Sequence, residues 1–98
     1  MPVVSVSRWE ISREDASRIA RDAVSRIKQH GATQVRLGHI HAGHITGQTI
    51  VEVTYPDWQT FGQAQAAIEK DQEYQTMLQE AMQKGKLLNR TVLTVEEL

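Results

Sequence analysis

Apolar and polar residues alternate over residues 3–11, and the period then lengthens to that of a helix over residues 16–27. Alternation returns over residues 33–41 and 44–55. A second helical region covers 58–82, and a last strand-like run covers 87–95. A period of two puts successive side chains on opposite faces of a strand, whereas a period near 3.6 aligns one face of a helix. The order is therefore β-α-β-β-α-β. It predicts a single ferredoxin-like α+β domain over residues 1–98, with a four-stranded antiparallel sheet in the order 4-1-3-2 and helices on one face.

The first helix carries the fullest set of signals. Ser12 is placed to cap it, and Asp15 stands at the reciprocal position. Ala16, Ile19, Ala20, Ala23, Val24 and Ile27 form its apolar stripe. Gly31 supplies a left-handed stop. The second helical region reads as two pieces. Asp57 caps the first, on which Trp58, Phe61, Ala64, Gln65 and Ile68 share a face. Five polar residues in succession, 69–73, would put some polar groups on the inner face of a straight helix, so a break is predicted there. Asp71 then caps a second piece striped by Tyr74, Met77, Leu78, Ala81 and Met82, which Gly85 ends.

In the third strand Thr49, Val51, Val53 and Tyr55 make the more apolar set, and are expected to face the helices. The matching sets are Val35, Leu37 and His39 in the second strand and Val4, Val6 and Arg8 in the first. Val3, Ser5, Ser7, Trp9, Ile50 and Thr54 then fall on the other face. A half-apolar sheet face left bare on a small protein is a liability. A second copy closing over it is the expected solution, an isologous homodimer.

The run Tyr55-Pro56-Asp57-Trp58-Gln59-Thr60-Phe61-Gly62, following the glycine-bearing hairpin 42–47, resembles the dimeric α+β barrel superfamily. NIPSNAP-like small proteins are nearest, and antibiotic-biosynthesis monooxygenases are more distant. The resemblance implies a dimer whose two sheets form one barrel with the helices outside, and a pocket between sheet and helices in each subunit. It implies core anchors at Trp58, Phe61 and Tyr74, and close approaches at Gly47 and Gly62. Members of the superfamily use the pocket to oxidise aromatic polyketides without a cofactor, to bind or degrade haem, to cyclise or to isomerise. What is implied for this chain is thus a small organic ligand rather than one reaction.

Composition removes several partners. Eleven Lys and Arg are balanced by twelve Asp and Glu, for a net charge of −1, so no nucleic-acid surface is expected. The absence of cysteine excludes a disulfide frame, a thiolate metal site and a Cys nucleophile. No apolar run approaches the ~20 residues of a membrane helix. The first ten residues lack the pattern of a secretion signal, so a cytoplasmic protein with no membrane partner is expected.

The stretch with most chemical potential is His39-Ile40-His41-Ala42-Gly43-His44. His39 and His41 share a strand face about 6–7 Å apart along the chain. With His44 and Glu10 they make an alternative metal or haem set, against the plainer reading of a polar hairpin with exposed histidines. With no Gly-rich phosphate loop, no cofactor is expected. His39 continues the Val35–Leu37 face, so it is expected to point into the pocket as a neutral base or hydrogen-bond donor. Arg8 would join it there to hold a carboxylate or enolate-like oxygen, or else pair with Glu10 or Glu14. Tyr74, Met77, Met82 and Trp58 are candidate pocket residues, ordinary core packing being the alternative. Glu52 requires a partner such as Arg36 or Arg90. Three functions stand open: a cofactor-free monooxygenase, isomerase or cyclase using His39 and Arg8; a non-enzymatic dimerisation module with a vestigial pocket; and a metal or haem site at the hairpin.

Overall fold

A computed structural model describes residues 1–98. Seven elements follow in the predicted order: β1 Val3–Glu10, α1 Arg13–Gln29, β2 Gln34–His39, β3 Thr49–Tyr55, α2 Trp58–Lys70, α3 Gln72–Lys84 and β4 Lys86–Thr94. The strands form one sheet in the order β2-β3-β1-β4, which is 4-1-3-2 read from the other edge. Every neighbouring pair is antiparallel. This is the ferredoxin-like α+β fold, with the second helix divided in two.

The helix boundaries follow from side chains that satisfy free backbone amides. The Ser12 hydroxyl accepts from the Asp15 amide at 3.1 Å and opens α1. The Asp57 carboxylate accepts from the Thr60 amide at 2.7 Å and opens α2. Asp71 terminates α2 and, by accepting from the Tyr74 amide at 3.1 Å, opens α3. The same carboxylate is the anchor for the last turn of α1. Arg26 reaches it at 3.2 Å and the His30 Nε2 lies 2.8 Å from Oδ2, while Arg26 also contacts Glu73. The hydrogen bond from His30 is the main reason the Asp71 carboxyl is held down at about 2, with the Tyr74 amide and the Arg26 guanidinium adding to it.

Two glycines answer to space. Gly31 turns the chain out of α1 at φ +109°, and a β-carbon there would lie 2.6 Å from Thr60 Cγ2. Gly85 is extended, but a β-carbon would lie 2.5 Å from Ile11 Cβ and 2.6 Å from the Glu10 carbonyl oxygen. These, and not Gly47 and Gly62, are the close approaches, for nothing lies within 4 Å of a β-carbon at either of the latter.

The strand registers correct one expectation. Residues directly opposite in an antiparallel pair point to the same face. Ser5 pairs with Val53, Ser7 with Val51 and Trp9 with Thr49, while Val35 and Leu37 pair with Val53 and Val51. The helix-facing set of β1 is therefore Val3, Ser5, Ser7 and Trp9. Val4, Val6 and Arg8 lie on the open face with Ile50, Glu52 and Thr54. Sequence composition favoured the valines for the interior, but a shift of one residue flips a whole strand and both sets were half apolar. A bulge interrupts β4 opposite the end of β1. Arg8 pairs with Asn89 and Trp9 with Leu87, so Leu88 is passed over.

The closely packed interior is small. Ala23, Ile27, Ala32, Tyr55 and Ala64 form one buried cluster, where α1 and β3 both end, with Phe61, Tyr74 and Met77 against it. Trp58 is not part of it. Its side chain is 56% exposed and meets Phe61 edge-on at 5.6 Å between ring centres. It caps the cluster from outside instead of anchoring it.

Candidate functional site

Between the sheet and the helices the interior opens into a cavity of about 280 Å³, and eighteen of the twenty-three residues around it are hydrophobic. The space exists because the residues facing it are small. On the sheet side β1 contributes Ser5 and Ser7 where a core strand would carry valine or leucine. On the helix side Ala16, Ala20 and Ala23 of α1 face Ala81 of α3. Tyr74, Met77 and Met82 line the cavity from α3 without closing it.

Its polar groups are few. Ser7 is occupied, accepting from the indole N–H of Trp9 at 2.9 Å. Arg90 of β4 enters through the register change. Its Nε donates to the Ser5 hydroxyl at 3.0 Å and its Nη2 to the Gln65 carbonyl oxygen at 2.9 Å, with the guanidinium 6.0 Å above the Phe61 ring. Burial holds the phenols of Tyr55 and Tyr74 above the ordinary tyrosine range. The Tyr74 phenol adds to the rise at Tyr55, and the positive charge of Arg90 draws both back down. Both are therefore neutral O–H groups near pH 7. Arg90 is the only formally charged side chain lining the cavity.

The sequence candidates separate. His39 does lie on the helix-facing side of β2, but it opens into a neighbouring depression with Arg13, His41 and Gln48. Its Nδ1 is 3.3 Å from the Thr49 hydroxyl. Burial, then the charges of Arg13 and His41, lower its pKa, so the ring is neutral. Arg8 is on the opposite face of the sheet, paired with Ile50 and Asn89, and forms no ion pair with Glu10 or Glu14. His39 and Arg8 thus do not converge. No group of three His, Asp or Glu side chains is gathered closely enough to hold a metal ion, so His39, His41, His44 and Glu10 do not form the alternative set. Trp58 stands outside the cavity. Glu52 finds one of its two expected partners, Arg36 at 2.6 Å on the open face, while Arg90 has gone to the other side. Arg90 was missed as a site residue because its face depends on where β4 bulges against β1, a register the sequence of β4 alone does not fix. The serines of β1, flanked by Val3 and Trp9, were the available signal.

Comparison with known proteins agrees with the architecture. Residues 8–93 match the family model described as "Domain of unknown function (DUF6854)". No curated protein matches the chain. Among solved structures, the chain is similar to SnoaB, a cofactor-independent oxygenase from Streptomyces nogalater, at TM-score 0.76 and 10% identity, over 99% of this chain and 95% of that one. It is similar to a NIPSNAP-like domain protein from Burkholderia xenovorans at TM-score 0.65 and 11% identity, over 97% and 85%. It is also similar to a dimeric ferredoxin-like protein from an uncultured marine organism at TM-score 0.63 and 15% identity, over 98% and 97%. At these identities the likeness is one of fold, and the fold is that of the superfamily the sequence resembles. No helix of the chain is long and apolar enough to cross a membrane.

Proposed function

We propose that this chain, which belongs to the DUF6854 family, binds a small, largely apolar organic molecule between its sheet and its helices, and does so as a homodimer. The observation that carries the reading is the cavity itself. A domain of 98 residues has little interior to spare. Here that interior is lined by serine and alanine at positions where larger apolar side chains would add stability. A volume near 280 Å³ is at the lower end for small-molecule sites, so the ligand is small.

The homodimer rests on the open face. Val6, Ile50 and Leu93 form its accessible apolar part, and Arg36 and Glu52 form a charged pair beside them. A two-fold contact there would cover the apolar strip and leave the pair available to a neighbouring copy. The similarity to a structure described as a dimeric ferredoxin-like protein supports a homodimer.

Binding is favoured over acid–base chemistry because no His, Asp, Glu or Lys lines the cavity. A cofactor-free oxygenase, the activity named for SnoaB, is a second reading. It is favoured by Arg90 and two neutral phenols at the edge of an apolar site, a set suited to holding an oxyanion.

The test uses the neutral fluorophore N-phenyl-1-naphthylamine. One saturable site per chain, abolished by Ala20→Phe, supports the reading. Failure to bind, or binding unchanged by Ala20→Phe, refutes it.

A further inference from the structure

The cavity is apolar, but its few polar groups all offer the same thing. The Ser5 and Gln65 oxygens are already used by Arg90. A guanidinium carries five N–H donors, and these two contacts leave three. No carboxylate lies within ion-pair distance of Arg90, whereas Arg18, Arg26 and Arg36 each meet Asp or Glu. The hydroxyls of Tyr55 and Tyr74 make no hydrogen bond within the protein, and both residues line the same cavity. Arg90 is solvent-exposed and neither phenol oxygen is sealed from water, so these donors can exchange water for the acceptor of a ligand. The site thus presents one positive charge and two neutral donors, and no acidic group to repel an anion.

We propose that the ligand is a carboxylate with an apolar body, held by Arg90 with Tyr55 and Tyr74 donating to the same carboxylate. This rests on the reading of the cavity as a small-molecule site. The guanidinium's planar fork matches the two oxygens of a carboxylate, as a phenol or alcohol ligand would not. The hydrocarbon body would lie between the alanines of α1 and Met77, on the floor formed by Ser7 and Val51. Charge selectivity, more than raw affinity, is what Arg90 contributes, since an apolar molecule without the charge already fits the walls.

The experiment compares 2-naphthoate with its neutral counterpart 2-naphthalenemethanol by displacement of N-phenyl-1-naphthylamine at pH 7.5. The proposal expects the wild-type protein to prefer the carboxylate by at least tenfold. Arg90→Gln should reduce that preference to less than twofold while leaving the alcohol's affinity within twofold, which also shows that the variant is folded. Arg90→Lys should keep part of the preference. Equal affinity for the two compounds, binding of the alcohol alone, or a preference that survives Arg90→Gln overturns the carboxylate assignment and leaves the apolar cavity standing. If neither compound nor the fluorophore binds, the small-molecule reading fails and this assignment with it.

Discussion

Filling the cavity by one substitution should make the protein more stable, and the sign of the change is the informative part. Ala20 lies on the cavity wall in the middle of α1. Ala20→Leu adds three carbon groups. At about 0.8 kcal/mol for each one buried, full burial would contribute roughly 2.4 kcal/mol. Fixing the leucine rotamer costs about 0.5–1 kcal/mol, and the helix preference for alanine costs a few tenths more. Ala20 is only half-buried and the cavity is open, so the gain should be about 1 kcal/mol. In an ordinary close-packed core the same change would overpack and cost about 1–3 kcal/mol. Urea denaturation at fixed protein concentration measures the difference, since the stability of a proposed dimer would vary with concentration. Ala66→Leu, on the exposed side of α2, serves as the control and should stay within about 0.5 kcal/mol of the wild type. A loss of 1 kcal/mol or more in Ala20→Leu would refute the reasoning, because it would mean that no usable space exists beside α1.

Trp58→Ala should cost about 1 kcal/mol, the worth of one edge-on aromatic contact, rather than the 3–5 kcal/mol of a core tryptophan. A larger loss in equilibrium unfolding would show that the ring is covered in the assembled protein. Gly85→Ala should destabilise by about 1–3 kcal/mol because its β-carbon meets the Glu10 carbonyl and Ile11. Gly62→Ala, on an open stretch of α2, should stabilise by about 0.5–1 kcal/mol, and a reversed order of the two in thermal melts would contradict the packing described. Asp71 titrates lower in the folded chain than its ordinary 3.8, so the stability it supplies is complete above that value and lost as pH falls towards about 2. Asp71→Asn should therefore be less stable at pH 6 and show a flatter acid limb between pH 4 and 2, and an unchanged limb would remove Asp71 from the α1–α3 junction. Val6→Lys on the open face should turn a dimer into a monomer by sedimentation equilibrium, and a wild-type monomer would refute the proposed contact.

Much of the fold was legible because it is written in local signals. Ser12, Asp57 and Asp71 cap the three helices from which amides needed partners, and the five polar residues before Tyr74 marked the break. The order of periods gave the strand order. What was not legible depends on contacts between distant residues. The face of β1 follows from its register with β3, and Val4 and Val6 misled because both faces of β1 carry apolar residues, so composition alone does not distinguish them. The position of Arg90 follows from the bulge opposite Trp9. Trp58 reads as core by its helical phase with Phe61, yet at the first residue of α2 it stays more than half exposed and meets Phe61 only edge-on. The candidate site was therefore half visible: Tyr74, Met77 and Met82 by their stripe, but neither Arg90 nor the serines opposite them.

Methyl-resolved NMR with N-phenyl-1-naphthylamine tests the central claim most directly, because methyl groups mark both faces of the sheet. Shifts confined to Ile19, Ile27, Val51, Met77 and Leu87 around the cavity are expected, with Val6 and Ile50 on the open face unmoved. Shifts at Val6 and Ile50 with the cavity methyls unmoved would place the ligand on the wrong side of the sheet and contradict that claim.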